Sequence, residues 1–165
     1  MTAEQEMALL GSFAPNDATP YGKKGYAKHR DAEGYEIIAD TKGKFLWQDA
    51  ADMEKPYLIL TSEQVTKEYL HYLDERHISW IACGKDKIDH ARAAEILADV
   101  FRVKRMGIVG GAAINTAFLD AGLLDEISLL VGAGIDRRGL YGIRFRLSRA
   151  GSPVDTAEID RRSKV

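Results

Sequence analysis

Cys83 is the only cysteine in the 165 residues, so no intrachain disulfide can staple the fold. It ends the apolar run ISWIAC and reads as a small buried residue rather than a nucleophile. No apolar run approaches the length of a membrane span, and MTAEQEMALLGSF has no basic region ahead of its short apolar patch. No membrane partner is expected, and the default location is cytoplasmic. Neither GxGxxG nor GxxxxGK(S/T) occurs, so neither the Rossmann fingerprint nor the P-loop is claimed. The four histidines, His29, His71, His77 and His90, show no metal-ligand spacing and no obvious acidic partner, so no metal site is expected. No repeat and no low-complexity tract is visible. A hydrophobic content of 45% with 29% charge then places the chain among ordinary globular domains with a core large enough for one fold.

The net charge of −2 conceals an asymmetry. From Arg137 onward eight Lys/Arg face three Asp/Glu, leaving a body near −7 and a tail near +5. An acidic body argues against a nucleic-acid partner.

Along the chain, Ala3 to Leu10 allows a turn or two of helix, and Pro15, Asn16, Asp17, Pro20, Gly22 and Gly25 read as loop. Tyr35–Ala39 reads as a strand, Asp40–Gly43 as a turn and Lys44–Trp47 as a second short strand, together a hairpin or consecutive sheet strands. From Tyr57 the pattern becomes regular. Tyr57–Leu60 is a buried strand, Thr61 or Ser62 can cap the next helix, and Thr61 with Gln64 has capping-box spacing. That helix runs to about Glu75 with Val65, Tyr69, Tyr72 and Leu73 on one side. Ile78–Cys83 is a strand, and Asp89 is the N-cap of a helix to Phe101 whose inner face uses Ala93, Ile96, Leu97 and Val100.

The stretch that organises the chain is Arg105 to Asp136, RMGIVGGAAINTAFLDAGLLDEISLLVGAGID. Met106–Val109 reads as a buried strand, and Gly110-Gly111 lets the backbone turn with no Cβ in a ligand's way. Ile114, Ala117, Phe118 and Ala121 then line one face of a helix that Gly122 should cap. Ile127–Val131 is a further strand. Strand and helix alternate, which predicts an α/β fold with a mainly parallel sheet flanked by helices. The diglycine lies between a strand's carboxyl end and a helix's amino end, where unpaired N–H groups favour an anion such as a pyrophosphate; the plainer reading is a tight strand–helix connection.

The run MGIVGGAAINTAFLDAGLLDEISLLVGAGID resembles the cofactor-phosphate segment of dihydrofolate-reductase-like reductases, specifically the RibD C-terminal-domain family of riboflavin biosynthesis. Weaker resemblance extends back through HISWIACGKDKID, PYLILTSEQV and YEIIADTKGKFLW to about Tyr35. The resemblance implies a dihydrofolate-reductase-like domain over residues 1–139, a divergent basic tail over 140–165, and NADPH as cofactor. It implies hydride transfer from nicotinamide to the opened ribose of a pyrimidine ribosylamine phosphate, and a homodimer. By the same resemblance, Thr61 and Ser62 lie toward the adenosine ribose, where hydroxyls and a nearby cation can take a 2′-phosphate. Gly84 and Lys85 flank the adenine side, and Gly110, Gly111, Ala112 and Ala113 hold the pyrophosphate. Asn115 sits early in the helix, where its side chain could face the cofactor or the solvent. Helix capping is the structural alternative for Thr61 and Ser62, and simple solvation for Lys85. No general acid is identified, and Asp125-Glu126 reads as structural.

Two departures from the family pattern are visible. The family's opening strand and a Gly-Arg-x-Thr-like segment are not recognisable, and after GAGID the residues become arginine-rich, as a changed reading frame or a basic tail would make them. Leu140, Ile143, Phe145 and Leu147 allow one edge strand, and the chain from Ser148 reads as disordered. The fold is therefore expected to be incomplete at both ends. The alternative to an active reductase is a non-catalytic fragment or nucleotide-binding module of the same fold.

Overall fold

A computed structural model describes residues 11–128. The chain divides into two compact units, Met1–Gly107 and Ile108–Val165.

In the first unit, apolar runs become strands wherever both faces can be covered. Strands β1 (Gly25–Ala27), β2 (Glu36–Ala39), β3 (Tyr57–Thr61) and β4 (Ser79–Ala82) form one sheet in the order β1-β4-β3-β2. β2 pairs parallel with β3 and β3 with β4, placing Thr61 opposite Ala82, while β1 runs antiparallel to β4. Side chains alternate across the sheet. Ile59, Trp80 and Ala82 join one core with Tyr69, Leu70 and Leu73 of helix α1 (Lys67–Glu75). Leu58, Leu60 and Ile81 join the opposite core with Ala93, Ile96 and Leu97 of helix α2 (His90–Asp99). A sheet covered on both faces needs largely apolar strands, and YLIL and SWIA supply them, with the buried Ser79 hydroxyl accepting from His29 N–H at 3.2 Å.

The caps follow local chemistry with one displacement. Asp89 caps α2 through Arg92 N–H at 3.0 Å, as its position predicts. α1 starts later than the capping-box spacing implies: Thr66 is its N-cap, accepting from Tyr69 N–H at 3.2 Å. Thr61 stays in the strand because its hydroxyl donates to Thr41 carbonyl oxygen at 3.1 Å. Past the Arg76 C-cap, His77 in the left-handed region (φ 56) closes α1, with Ile78 N–H to Leu73 carbonyl at 3.0 Å.

Three other sequence expectations change. The segment read as pure loop supplies β1, a three-residue edge strand with no apolar period, created by pairing with residues more than fifty positions away. The turn after β2 forms, but Lys44–Trp47 contributes only an isolated bridge, Phe45 to Ser12, because β2 gives its hydrogen bonds to β3. Met106–Val109 forms no strand. Its backbone has no ladder partner among the described residues, and Val109 is 96% exposed.

Polar groups inside the first unit are tightly organised. Asp40, 4% exposed at the end of β2, accepts N–H bonds from Lys44 (2.8 Å) and Phe45 (3.0 Å) on Oδ2. The Tyr69 hydroxyl donates to the same oxygen at 2.8 Å and accepts from Trp47 Nε1 at 2.7 Å. Burial, then the neighbouring Asp40 charge, pushes the Tyr69 phenol far above its ordinary range, so it remains a proton donor.

In the second unit, helix α3 (Ala112–Asp120) follows the diglycine. Gly122 (φ 66) closes it, with Gly122 N–H to Leu119 carbonyl (2.9 Å) and Leu123 N–H to Phe118 carbonyl (3.0 Å), the paired bonds of a Schellman cap. Of the predicted inner face, Phe118 is buried, Ile114 and Ala117 are half-buried and Ala121 is exposed. Ile127, read as the start of a strand, has no strand structure and is 53% exposed; residues 129–131 and the basic tail lie outside the described residues, as does the Ala3–Leu10 helix.

Tyr69→Phe leaves Trp47 Nε1 and Asp40 each short of one buried partner. It should cost about 1–3 kcal/mol, read as a lower urea midpoint with an unchanged m-value.

Candidate functional site

The parallel register of β3 and β4 brings two loops side by side at their carboxyl ends, where open α/β sheets collect ligands. Thr61 carbonyl accepts from Cys83 N–H at 3.0 Å, and Glu63 N–H donates to Gly84 carbonyl at 2.9 Å. Gln64 Nε2 reaches Lys85 carbonyl at 3.0 Å. The loops carrying Thr61, Ser62, Gly84 and Lys85 are thus one hydrogen-bonded edge.

Within that edge the residues differ in availability. Thr61 and Ser62 are both 0% exposed. Ser62 Oγ donates to Thr41 carbonyl at 2.8 Å, the acceptor Thr61 also uses, and accepts from Gln64 N–H at 3.2 Å. Both hydroxyls therefore hold the β2 turn against β3. Gly84 has φ +90, and a Cβ there would collide with Lys87 carbonyl oxygen and lie 2.7 Å from Asp89 N. Only glycine fits this return into α2. Lys85 is exposed beside it. Cys83 is buried, its thiol donating to Asp89 carbonyl at 3.4 Å, and burial raises its pKa; this is a packed thiol and not a poised nucleophile.

The diglycine belongs to the second unit. Gly111 is the N-cap of α3 with extended backbone (φ −68, ψ 179), and no side chain among the described residues caps the helix. The first-turn N–H groups, including those of Ala112 and Ala113, gain no intrahelical carbonyl partner, which is the general property of an uncapped helix start. The two glycines have different reasons to exist. A Cβ on Gly110 would lie 2.8 Å from Ile114 Cβ, whereas on Gly111 it would meet nothing within 4 Å. The open space at Gly111 is where an anion can approach. Asn115, half-buried in the first turn, has a buried Oδ1 with no hydrogen-bond partner among the described residues, as has Thr116 Oγ1.

Sequence reading missed two features. The Asp40–Tyr69–Trp47 network was hidden because Tyr69 looks only like a core aromatic; the signal is an Asp opening a D-x-x-G turn. Three of the four histidines do have acidic partners. His29 Nε2 lies 3.0 Å from Asp74, His77 Nδ1 3.1 Å from Asp49, and His71 Nε2 3.4 Å from Glu75. Two of these pairs join segments tens of residues apart, so spacing could not reveal them. No group of three or more metal-ligating side chains occurs among the described residues, and no helix there is long and apolar enough to cross a membrane.

With this geometry in place, comparison with known proteins is decisive for one thing. The family model described as the RibD C-terminal domain matches residues 1–135. The chain belongs to the RibD C-terminal domain family. No curated protein and no solved structure matches it significantly. The match reaches back to residue 1, well beyond Tyr35, where the visible resemblance fades. The α/β architecture, with its mixed sheet and covering helices, is that of a dihydrofolate-reductase-like domain, and the family is reductase-like and of the riboflavin-biosynthesis type.

Gly110→Ala should weaken α3 by about 1–3 kcal/mol through overpacking against Ile114, while Gly111→Ser, a good N-cap in open space, should not; amide exchange at Ala121 and Leu123 reads the difference. Acid stability gives a second check. Asp49 is held below its ordinary 3.8, first by Ala51 N–H and then by His77. A depressed carboxylate contributes stability above its unfolded pKa and loses it as pH falls through the folded value. Asp49→Asn should therefore be less stable than wild type at pH 7, and the gap should close below about pH 4, read from urea midpoints.

Proposed function

We propose that the chain is an NADPH-dependent reductase of the riboflavin-biosynthesis type. When bound, NADPH supplies a hydride from its nicotinamide to the opened ribose of a pyrimidine ribosylamine phosphate. The observation that carries the reading is the family match over residues 1–135, joined to an uncapped helix start behind a diglycine of the kind that receives a pyrophosphate. In this reading Gly110, Gly111, Ala112 and Ala113 hold the pyrophosphate and Asn115 offers its unsatisfied amide oxygen to a cofactor hydroxyl. By the family resemblance, the loops of Thr61, Ser62, Gly84 and Lys85 in the first unit are expected to take an adenosine, with Lys85 the exposed cation.

The residues present fit the group. Among the described residues the space beside Gly111 is open, and two buried unpartnered atoms, Asn115 Oδ1 and Thr116 Oγ1, stand at the end of the helix's first turn. The protein's part is to bind and orient the dinucleotide and to hold the loops rigid. The second reading is a nucleotide-binding module of the same fold without turnover.

The test is NADPH binding to purified protein, by calorimetry or nicotinamide fluorescence, with Gly111→Asp as the control. Asp is a strong N-cap, so this variant keeps α3 while placing a carboxylate where the pyrophosphate would sit. Its affinity should fall at least about tenfold, roughly 1.4 kcal/mol. A folded wild-type protein that takes up no NADPH overturns the reading. NADPH binding without oxidation in the presence of the pyrimidine substrate selects the module.

A further inference from the structure

Residues 12–22 lie outside every regular element and yet are fixed at both ends. At one end Ser12 bridges Phe45, Phe13 N–H donates to Lys44 carbonyl at 2.7 Å, and the Phe13 ring packs 5.0 Å from both Tyr69 and Tyr72. At the other end Tyr21 N–H donates to Val65 carbonyl at 2.6 Å and Gly22 N–H to Glu63 carbonyl at 2.9 Å, with the Tyr21 ring edge-on to Trp80 at 5.8 Å.

Between these anchors residues 14–20 are exposed, and one carboxylate holds them. Glu68 Oε2 accepts Asn16 N–H at 2.8 Å and Asp17 N–H at 3.0 Å, while Oε1 accepts Asn16 Nδ2 at 3.0 Å. Asp17 in turn accepts Thr19 N–H and hydroxyl at 2.8 and 2.6 Å, tightening the bend. Three donors on one side chain hold the middle of the strap to the first turn of α1.

The strap ends on the candidate site. Glu63, directly after Ser62, is a rivet: its carbonyl accepts from Gly22 of the strap, and its N–H donates to Gly84 of the neighbouring loop. The middle of the strap, held by Glu68, and the loop pair at the carboxyl edge of β3 and β4 are thus joined through Gly22 and Glu63.

We propose that Glu68 is a positioning residue of the cofactor edge, acting through the strap and touching no ligand. The inference rests on the reading of that edge as an NADPH site. It is tested by NADPH affinity of the full chain, well below its melting temperature, together with amide exchange at Tyr21 and Gly22. Glu68→Ala should raise the Kd for NADPH about three- to thirtyfold and speed both amides. Glu68→Gln should recover most of the affinity, because its amide oxygen still accepts the Asn16 and Asp17 N–H groups. Leu73→Val, a core truncation that leaves the strap intact, should lower stability without moving the Kd. A folded Glu68→Ala variant with wild-type affinity overturns the positioning role, as does an equal loss in Leu73→Val. Failure of the wild-type chain to bind NADPH overturns the cofactor reading itself, and the positioning role with it; wild-type binding that is lost in Gly111→Asp and unchanged in Glu68→Ala overturns the positioning role alone.

Discussion

The Asp40 carboxylate is the constraint on which the first unit depends. A buried carboxylate is costly unless its lone pairs are used, and Asp40 uses them on two backbone N–H groups and the Tyr69 hydroxyl. That fixes the turn after β2, and the turn presents the Thr41 carbonyl to Thr61 and Ser62. The same phenol satisfies the Trp47 indole, so the polar network and the aromatic core are one object. Removing any member strands another in low dielectric, which makes the arrangement all-or-none in character.

From that turn the order propagates along the carboxyl edge of the sheet. Ser62 is tied back to Thr41, Glu63 across to Gly84 and outward to Gly22, and Gln64 over to Lys85. Four loops that would otherwise move independently share hydrogen bonds. A site built on such loops keeps its geometry because the loops are tied to one another and to the sheet. The second unit supplies a different element, a helix start that no side chain among the described residues caps. At Gly111 the absence of a capping side chain leaves the first N–H groups available to an anion.

Stabilising and positioning residues are consequently hard to separate. Thr61 and Ser62 lie at the strand end expected to meet the cofactor, and their hydroxyls are spent on the protein itself. Lys85 is exposed, yet its backbone is what Gln64 grips. Glu68 stands in the first turn of α1 and holds the middle of a strap whose far end reaches Glu63.

The sequence by itself determined the elements whose signal is local. YLIL and SWIA are strands because they are largely apolar, α2 starts at Asp89 because its side chain reaches Arg92 N–H, and α3 ends at Gly122 because glycine accepts φ 66. The diglycine and the family resemblance were legible for the same reason: close spacing carries them. Tertiary structure alone decided whatever depends on a distant partner. β1 exists because β4 has an edge to fill, Met106–Val109 is not a strand because no ladder receives it, and Thr61 is not a helix cap because Thr41 takes its hydroxyl. Asp40 and Tyr69 are separated by 29 residues, and Asn16 and Glu68 by 52. A hydrogen bond forms where two chains of backbone meet, and residue spacing carries no record of that meeting until the sheet has folded.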